Sequence, residues 1–95
     1  MTNKIEKTLL EMPYAQATVI ITPERVALRS YETIVATIED GWLSINGLYS
    51  MTTRRHIKAF CSEYAGFNNF EVIKMLVKDQ MLYNIFTGEV IEGGC

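Results

Sequence analysis

The sequence contains little of what most catalytic and metal-binding sites require. It has one histidine, His56, and two cysteines, Cys61 and Cys95, in 95 residues. The cysteines lack a C-x-x-C spacing and are too few for a disulfide framework, which favours a reducing compartment. Arg54 and Lys58 flank His56, and nearby cations hold a histidine neutral without making it a base. We therefore predict a protein that is not an enzyme and has no metal site or cofactor.

Long apolar runs and glycine-rich loops are also absent. No segment approaches the roughly 20 apolar residues that span a bilayer. Residues 1–12 are charged and lack the apolar core of a signal peptide. The glycines that interrupt the chain stand singly at positions that fit turns or a helix end, so no phosphate-binding loop is predicted. We expect a cytoplasmic protein with no membrane partner.

The charge balance is slightly acidic. Nine lysines and arginines against eleven aspartates and glutamates give a net charge of −2. The broad positive field of a general nucleic-acid binder is missing, so nucleic acid remains an alternative partner that is not favoured. The hydrophobic fraction of 48% is within the usual range for a globular chain. With 21% charged residues and a slightly positive mean hydropathy, the chain is still rather apolar for a small domain, which indicates an apolar patch left for a protein partner or for a homodimer.

The pattern predicts one α+β domain over residues 1–95, with 93–95 as a flexible tail. A short N-terminal helix is predicted over Asn3–Glu11, with Thr2 as its cap and Pro13 soon after its end. An antiparallel meander of three or four strands should follow. Its predicted strands are residues 17–22, 25–30, 33–39 and 42–46.

The apolar spacing changes to a helical period after Ser50. One helix should begin there and stop near Gly66, and a second should run from Asn68 or Asn69 to about residue 80. The second helix is apolar over more than one stripe, which predicts burial on two sides. A closing hairpin is predicted over residues 81–92. Both helices should pack on one face of the sheet.

The first helix begins with hydroxyls and cations. Arg54 and Arg55 lie in its first turn, where their charge opposes the helix dipole. With backbone N–H groups and the hydroxyls of Thr52 and Thr53, they would form an anion or carboxylate pocket, which Lys58 extends. Tyr31 and Tyr49 are candidate stacking partners. The candidate binding residues are Thr52, Thr53, Arg54, Arg55, His56, Lys58, Tyr31 and Tyr49.

A simpler interpretation of the same segment is favoured. The hydroxyls would cap the helix, the cations would form its solvated face, and His56 would be a partly buried packing residue. The aromatic residues would then belong to the packing of a small sheet.

A pattern of hydroxyl and aromatic residues runs from about Leu28 to Phe60. It reads approximately S-Y-x-T, then V-A, then Y-S-x-T-T-x-x-H-I-x-x-F, and its most specific part is the TT-x-x-HI core. It resembles a family of small proteins encoded by bacteriophages, prophages and plasmids. The resemblance implies a mobile-element origin and a bacterial cytoplasm, and it supplies no catalytic residues.

The leading hypothesis is a non-enzymatic phage or mobile-element protein that binds a protein partner, for example as an anti-CRISPR-like inhibitor of host defence. The first alternative is a nucleic-acid-binding accessory protein that uses the basic helix start. The second is a nucleotide or small-anion binder.

Overall fold

The computed structural model of the chain describes residues 4–10, 12, 16–47 and 50–92. Within them a seven-stranded antiparallel sheet carries two helices, and the strands are hydrogen-bonded in their sequence order. The strands are β1 Ile5–Lys7, β2 Ala17–Ile21, β3 Arg25–Ser30, β4 Thr33–Glu39, β5 Trp42–Ile45, β6 Met81–Asn84 and β7 Val90–Glu92. The helical connection lies between β5 and β6.

Both helices begin at residues whose side chains cap them. Helix α1 spans Met51–Phe60 after Ser50 and continues into a π-helical turn over Cys61–Ala65. Helix α2 spans Phe70–Lys78, and the Asn69 side chain accepts the first-turn N–H of residue 71. Gly66, with φ +80°, ends the π-helical turn in a conformation that glycine tolerates best. Both helices begin where capping and period predict. The first continues to Gly66 only through the π-helical turn, and α2 ends at Lys78, two residues before its predicted end.

The predicted N-terminal helix is wrong. Residues Ile5–Lys7 form β1, which pairs antiparallel with β2 in the register Ile5↔Ile21. A helix of nine residues is marginal without tertiary support, whereas the free edge of β2 offers backbone hydrogen bonds. Residues 2, 3, 11 and 13, which mark the ends of the predicted helix, lie outside the described residues.

The predicted meander of three or four strands is also wrong, because the sheet has seven. The strands expected over residues 17–46 are present, but β1 extends the sheet at one edge. The closing hairpin over residues 81–92 is not a separate unit, since β6 pairs with β5 in the register Leu43↔Tyr83. The molecule is therefore mostly sheet. The predicted tail, residues 93–95, falls outside the described part of the chain.

The prediction that α2 is buried on two sides fails as well. Only Ile73 and Leu76 of this helix are buried, and Met75 is 37% exposed. The helix packs on β5 and β6 through one stripe and leaves the other side to solvent.

The core lies between the helices and the sheet. Leu28, Leu43, Ile57, Phe60 and Leu76 are fully buried in one cluster. Helix α1 contacts β3 and β4, which places its first turn beside the end of β3. None of the described helices is long and apolar enough to cross a membrane.

Candidate functional site: a buried hydroxyl–histidine network and an exposed basic cleft

A chain of hydrogen bonds fastens the start of α1 to the end of β3. Ser50 Oγ accepts the backbone N–H of Thr53 at 3.2 Å and donates to Thr53 Oγ1 at 3.2 Å. Ser30 Oγ lies 3.0 Å from Thr53 Oγ1 and 2.8 Å from His56 Nδ1. Ser30, Thr53 and His56 are all buried, so this network joins two elements inside the core. We call it the Ser–Thr–His network.

The contacts of the network can be satisfied by a neutral histidine in either of two ways. Thr53 donates to Ser30 and Ser30 donates to His56 Nδ1, or Nδ1–H donates to Ser30 and Ser30 donates to Thr53. His56 Nε2 has no hydrogen-bond partner among the residues the structure describes. Burial lowers the pKa of His56, which favours the neutral ring.

The Ser30–His56 pair has the spacing of a nucleophile and its base, but its surroundings are not those of a reactive site. Ser30 is 2% exposed, its oxygen also bonds Thr53, and α1 covers it. A substrate would reach the hydroxyl only if the helix left the sheet. The network therefore serves to hold α1 in place.

The opposite side of α1 carries its exposed cations. Arg54, Arg55 and Lys58 line a cleft of about 310 Å³ together with Met51 and Phe70. We call these five residues the basic cleft. The Arg54 guanidinium lies over the Phe70 ring at 5.6 Å from its centroid, and Met51 is 70% exposed. The cleft thus combines an apolar floor with three positive charges.

These three cations have no carboxylate partner within the described residues. The ion pairs found there join Lys4 and Arg29 to Glu6, and Lys74 to Glu71. A second cleft of about 330 Å³ shares Arg55 and Lys58 and continues past them to Met12, Ala59, Ser62 and Asn68. The two clefts are therefore neighbours on the surface of α1.

The structure separates the predicted site residues into two groups. Arg54, Arg55 and Lys58 face the basic cleft, whereas Thr53 and His56 face the core. Because the Thr53 hydroxyl is used inside the network, it does not converge with the arginines on one anion pocket.

Of the other candidates, Thr52 and Tyr31 do not line the cleft. Thr52 is exposed on the first turn of α1. Tyr31 is 52% exposed in the β3–β4 turn, with φ 57° and its ring centroid 5.9 Å from that of His56. Tyr49 is outside the described residues.

Three residues of these sites were missed as candidates. Ser30 belongs to the S-Y-x-T pattern, but nothing in a single sequence pairs it with a histidine 26 positions later. Phe70 begins α2 and reaches the cleft only through the helix packing. Met51 was detectable as a large apolar residue in the first turn of a polar helix.

Reactive and metal-binding groups are scarce in the described part of the chain. Burial raises the pKa of the Cys61 thiol to about 12, so it stays protonated and poorly nucleophilic. No three His, Cys, Asp or Glu side chains of these residues come close enough to hold a metal ion.

Comparison with known proteins identifies the family of the chain. A family model described as a family of unknown function (DUF8033) matches residues 7–75, and the chain belongs to this family. The match contains β2 to β5, α1 and most of α2, and therefore both the Ser–Thr–His network and the basic cleft. No curated protein and no solved structure matches the chain.

Proposed function

We propose that this member of the family is a non-enzymatic binding protein whose basic cleft holds an acidic segment of a protein partner. The observation that carries the proposal is the placement of Arg54, Arg55 and Lys58 around an apolar floor, with no ion pair to any of them in the described structure. An acidic segment with one apolar side chain would match both parts of this surface.

The electrostatically unfavourable position of the two arginines supports a role in ligand binding. Arg54 and Arg55 are close to the N-terminus of α1, where a positive charge is unfavourable by about 0.3–1 kcal/mol each. An anionic partner would relieve this repulsion and would meet guanidinium groups able to hold a carboxylate in two hydrogen bonds. Met51, exposed beside them, would be covered by the apolar side chain of the partner.

A protein is favoured over a nucleic acid as the partner. The chain carries a net charge of −2, so it lacks the broad positive field on which general nucleic-acid binding depends. A single-strand binder also needs aromatic faces free for bases. In the described structure the cleft contains one ring, Phe70, and two cations already cover it, the Arg54 guanidinium and Lys74 Nζ at 5.6 and 5.7 Å.

The resemblance of residues 28–60 to phage, prophage and plasmid proteins supports a more specific form of the proposal. In that form the protein comes from a mobile element, and the acidic segment belongs to a host component, such as a defence or regulatory protein. The cytoplasm of a bacterial cell would be its place of action.

The proposal is tested with a defined probe, a fluorescein-labelled peptide of sequence Glu-Glu-Phe-Glu-Glu. Fluorescence anisotropy should show saturable binding to the wild-type protein. The double variant Arg54→Glu and Arg55→Glu should bind at least about tenfold more weakly, which corresponds to about 1.4 kcal/mol. The matched control changes two exposed cations outside the cleft, Lys7→Glu and Arg25→Glu, and should bind like the wild type.

Two results would contradict the proposal. One is equal weakening in both double variants, which would mean that only the net charge matters. The other is stronger binding of a labelled single- or double-stranded DNA oligonucleotide than of the peptide, with the affinity for DNA falling steeply between 50 and 200 mM salt. That outcome would assign the cleft to nucleic acid.

A further inference from the structure

The hairpin tip between β6 and β7, residues 85–89, is rigidly built. Asn84 Oδ1 accepts the backbone N–H groups of Phe86 and Thr87 at 2.9 and 3.0 Å, and the Asn84 carbonyl accepts Gly88 N–H at 2.8 Å. Ile85 N–H donates to the Gly41 carbonyl at 2.9 Å, which ties the tip to the β4–β5 turn. The conformation of the tip is therefore fixed before any partner arrives.

This rigid tip holds an aromatic side chain in solvent. Phe86 is 81% exposed, more than the other exposed large hydrophobic residues in the described part of the chain. One edge of its ring lies on Gly41, where an added Cβ would be 2.7 Å from Phe86 Cε2. An exposed ring on an ordered backbone loses little conformational entropy on binding, which is a property of interface anchor residues.

The surroundings of Phe86 are acidic. Glu39 and Asp40 are exposed at the neighbouring β4–β5 turn, and Glu89 is exposed on the hairpin itself. Arg25, the cross-strand neighbour of Glu39, offsets one of the three charges. The tip thus presents an aromatic ring with a net negative charge around it.

The tip and the basic cleft lie toward opposite ends of the strands. The Ser30–Thr33 end of β3 and β4 lies beside the start of α1, whereas the Glu39–Gly41 end lies beside the tip. The tip of one molecule cannot fill its own cleft, but it has the chemistry that the cleft of another molecule would bind. An acidic segment with one apolar side chain is what the cleft is proposed to hold.

We propose that the 85–89 tip docks into the basic cleft of a second copy of the chain. Phe86 lies against Met51. Glu89 of the tip, with Glu39 and Asp40 of the adjoining β4–β5 turn, approaches the three cations of the cleft. The inference rests on the proposed function, since it identifies one partner for the same cleft. Two different surfaces meet, so the contact is heterologous, and a dimer still has one free tip and one free cleft to which further copies can bind.

Sedimentation velocity with complementary variants tests the docking. The tip variant carries Phe86→Ser and Glu89→Lys, and the cleft variant carries Arg54→Glu and Arg55→Glu. The wild type should associate as its concentration rises, and each variant alone should stay monomeric. Mixed in equal amounts, the two variants should form a heterodimer and nothing larger, because one intact tip and one intact cleft remain.

The matched control variant, Leu10→Ser with Glu24→Lys, removes an exposed apolar side chain and an acid outside the tip. It should associate like the wild type. A wild type that stays monomeric throughout, a tip variant that associates like the wild type, or a mixture without heterodimer would each overturn the inference.

Failure of this inference is distinguishable from failure of the proposed function. The tip variant cannot occupy its neighbour's cleft, so its binding of the Glu-Glu-Phe-Glu-Glu peptide reports on the cleft alone. If the tip variant binds the peptide while the wild type stays monomeric, the self-docking is wrong and the proposed function stands. If the tip variant does not bind the peptide, the proposed function is wrong, and the inference falls with it.

Discussion

At the scale of single residues, the environment of His56 determines how α1 is held on the sheet. The ring is fully buried, and its Nδ1 atom lies 2.8 Å from the Ser30 hydroxyl oxygen. Burial under the contact between α1 and the sheet disfavours the charged imidazolium, so the folded chain holds the neutral ring. The protonation state of one side chain is therefore coupled to the contact between helix and sheet.

This coupling predicts a loss of stability in mild acid. Burial lowers the pKa of folded His56 below its ordinary value of 6.5, so below pH 6.5 the unfolded chain binds more protons than the folded one. The free energy of unfolding should be at its full value above that pH and should fall as the pH drops from 6.5 toward 5.5. Urea titrations at pH 7.5 and 5.5 measure it.

The variant His56→Gln is the control for this prediction, because His56 is the one histidine in the sequence. The variant should be less stable than the wild type at pH 7.5, by about 1–3 kcal/mol, since the buried hydrogen bonds are disturbed. Between pH 7.5 and 5.5 its stability should change little. An equal fall in wild type and variant would show that other groups cause the pH dependence.

Part of the environment of His56 could be predicted from the sequence. The flanking cations indicated a neutral His56, but burial is the cause that the structure identifies. Ser50 was recognised as a cap because capping is local. Ser30 was not recognised as the partner of His56, because their contact depends on how α1 lies across the sheet.

At the scale of elements, local sequence patterns predicted most of the secondary structure correctly but gave the wrong element at the N-terminus. Strands β2 to β5 and both helices follow from periodicity, caps and turns, which act over a few residues. Strand β1 depends on pairing with β2, and Leu9 beyond it is fully buried while Leu10 is 78% exposed. The same apolar residues also fit one face of a helix. Pairing with the edge of β2 makes this segment a strand.

The β4–β5 turn and the hairpin tip also meet through a tertiary contact, which predicts unequal costs for two glycine substitutions. Gly41 and Gly66 have nearly equal φ values, +82° and +80°. At Gly66 a Cβ would have nothing within 4 Å, whereas at Gly41 it would be 2.7 Å from the Phe86 ring.

Gly66→Ala should lower the free energy of unfolding by about 1–2 kcal/mol through backbone strain alone. Gly41→Ala should cost more, because the Phe86 ring must also move from its place. Chemical denaturation of the two variants gives the comparison. Equal losses would mean that the Phe86 ring is not seated on Gly41.

At the scale of the whole molecule, a small net charge conceals local groups of like charge. The cations of α1 gather at the basic cleft, while exposed acids gather at the other end of the strands, beside Phe86. Composition predicted an apolar patch for a partner, and this stays a prediction. The contact between Phe70 and Arg54 joins residues 16 positions apart, and the sequence alone does not reveal it.

The central claim, that the basic cleft binds an acidic protein segment, is tested most directly by mapping the contact on the protein. In two-dimensional ¹H–¹⁵N NMR spectra of the tip variant, addition of unlabelled Glu-Glu-Phe-Glu-Glu peptide should shift the backbone amides of residues 51–58 and 70–74. The amides of β1 to β3 should stay in place. Shifts confined to the strands, or no shifts at saturating peptide, would contradict the claim.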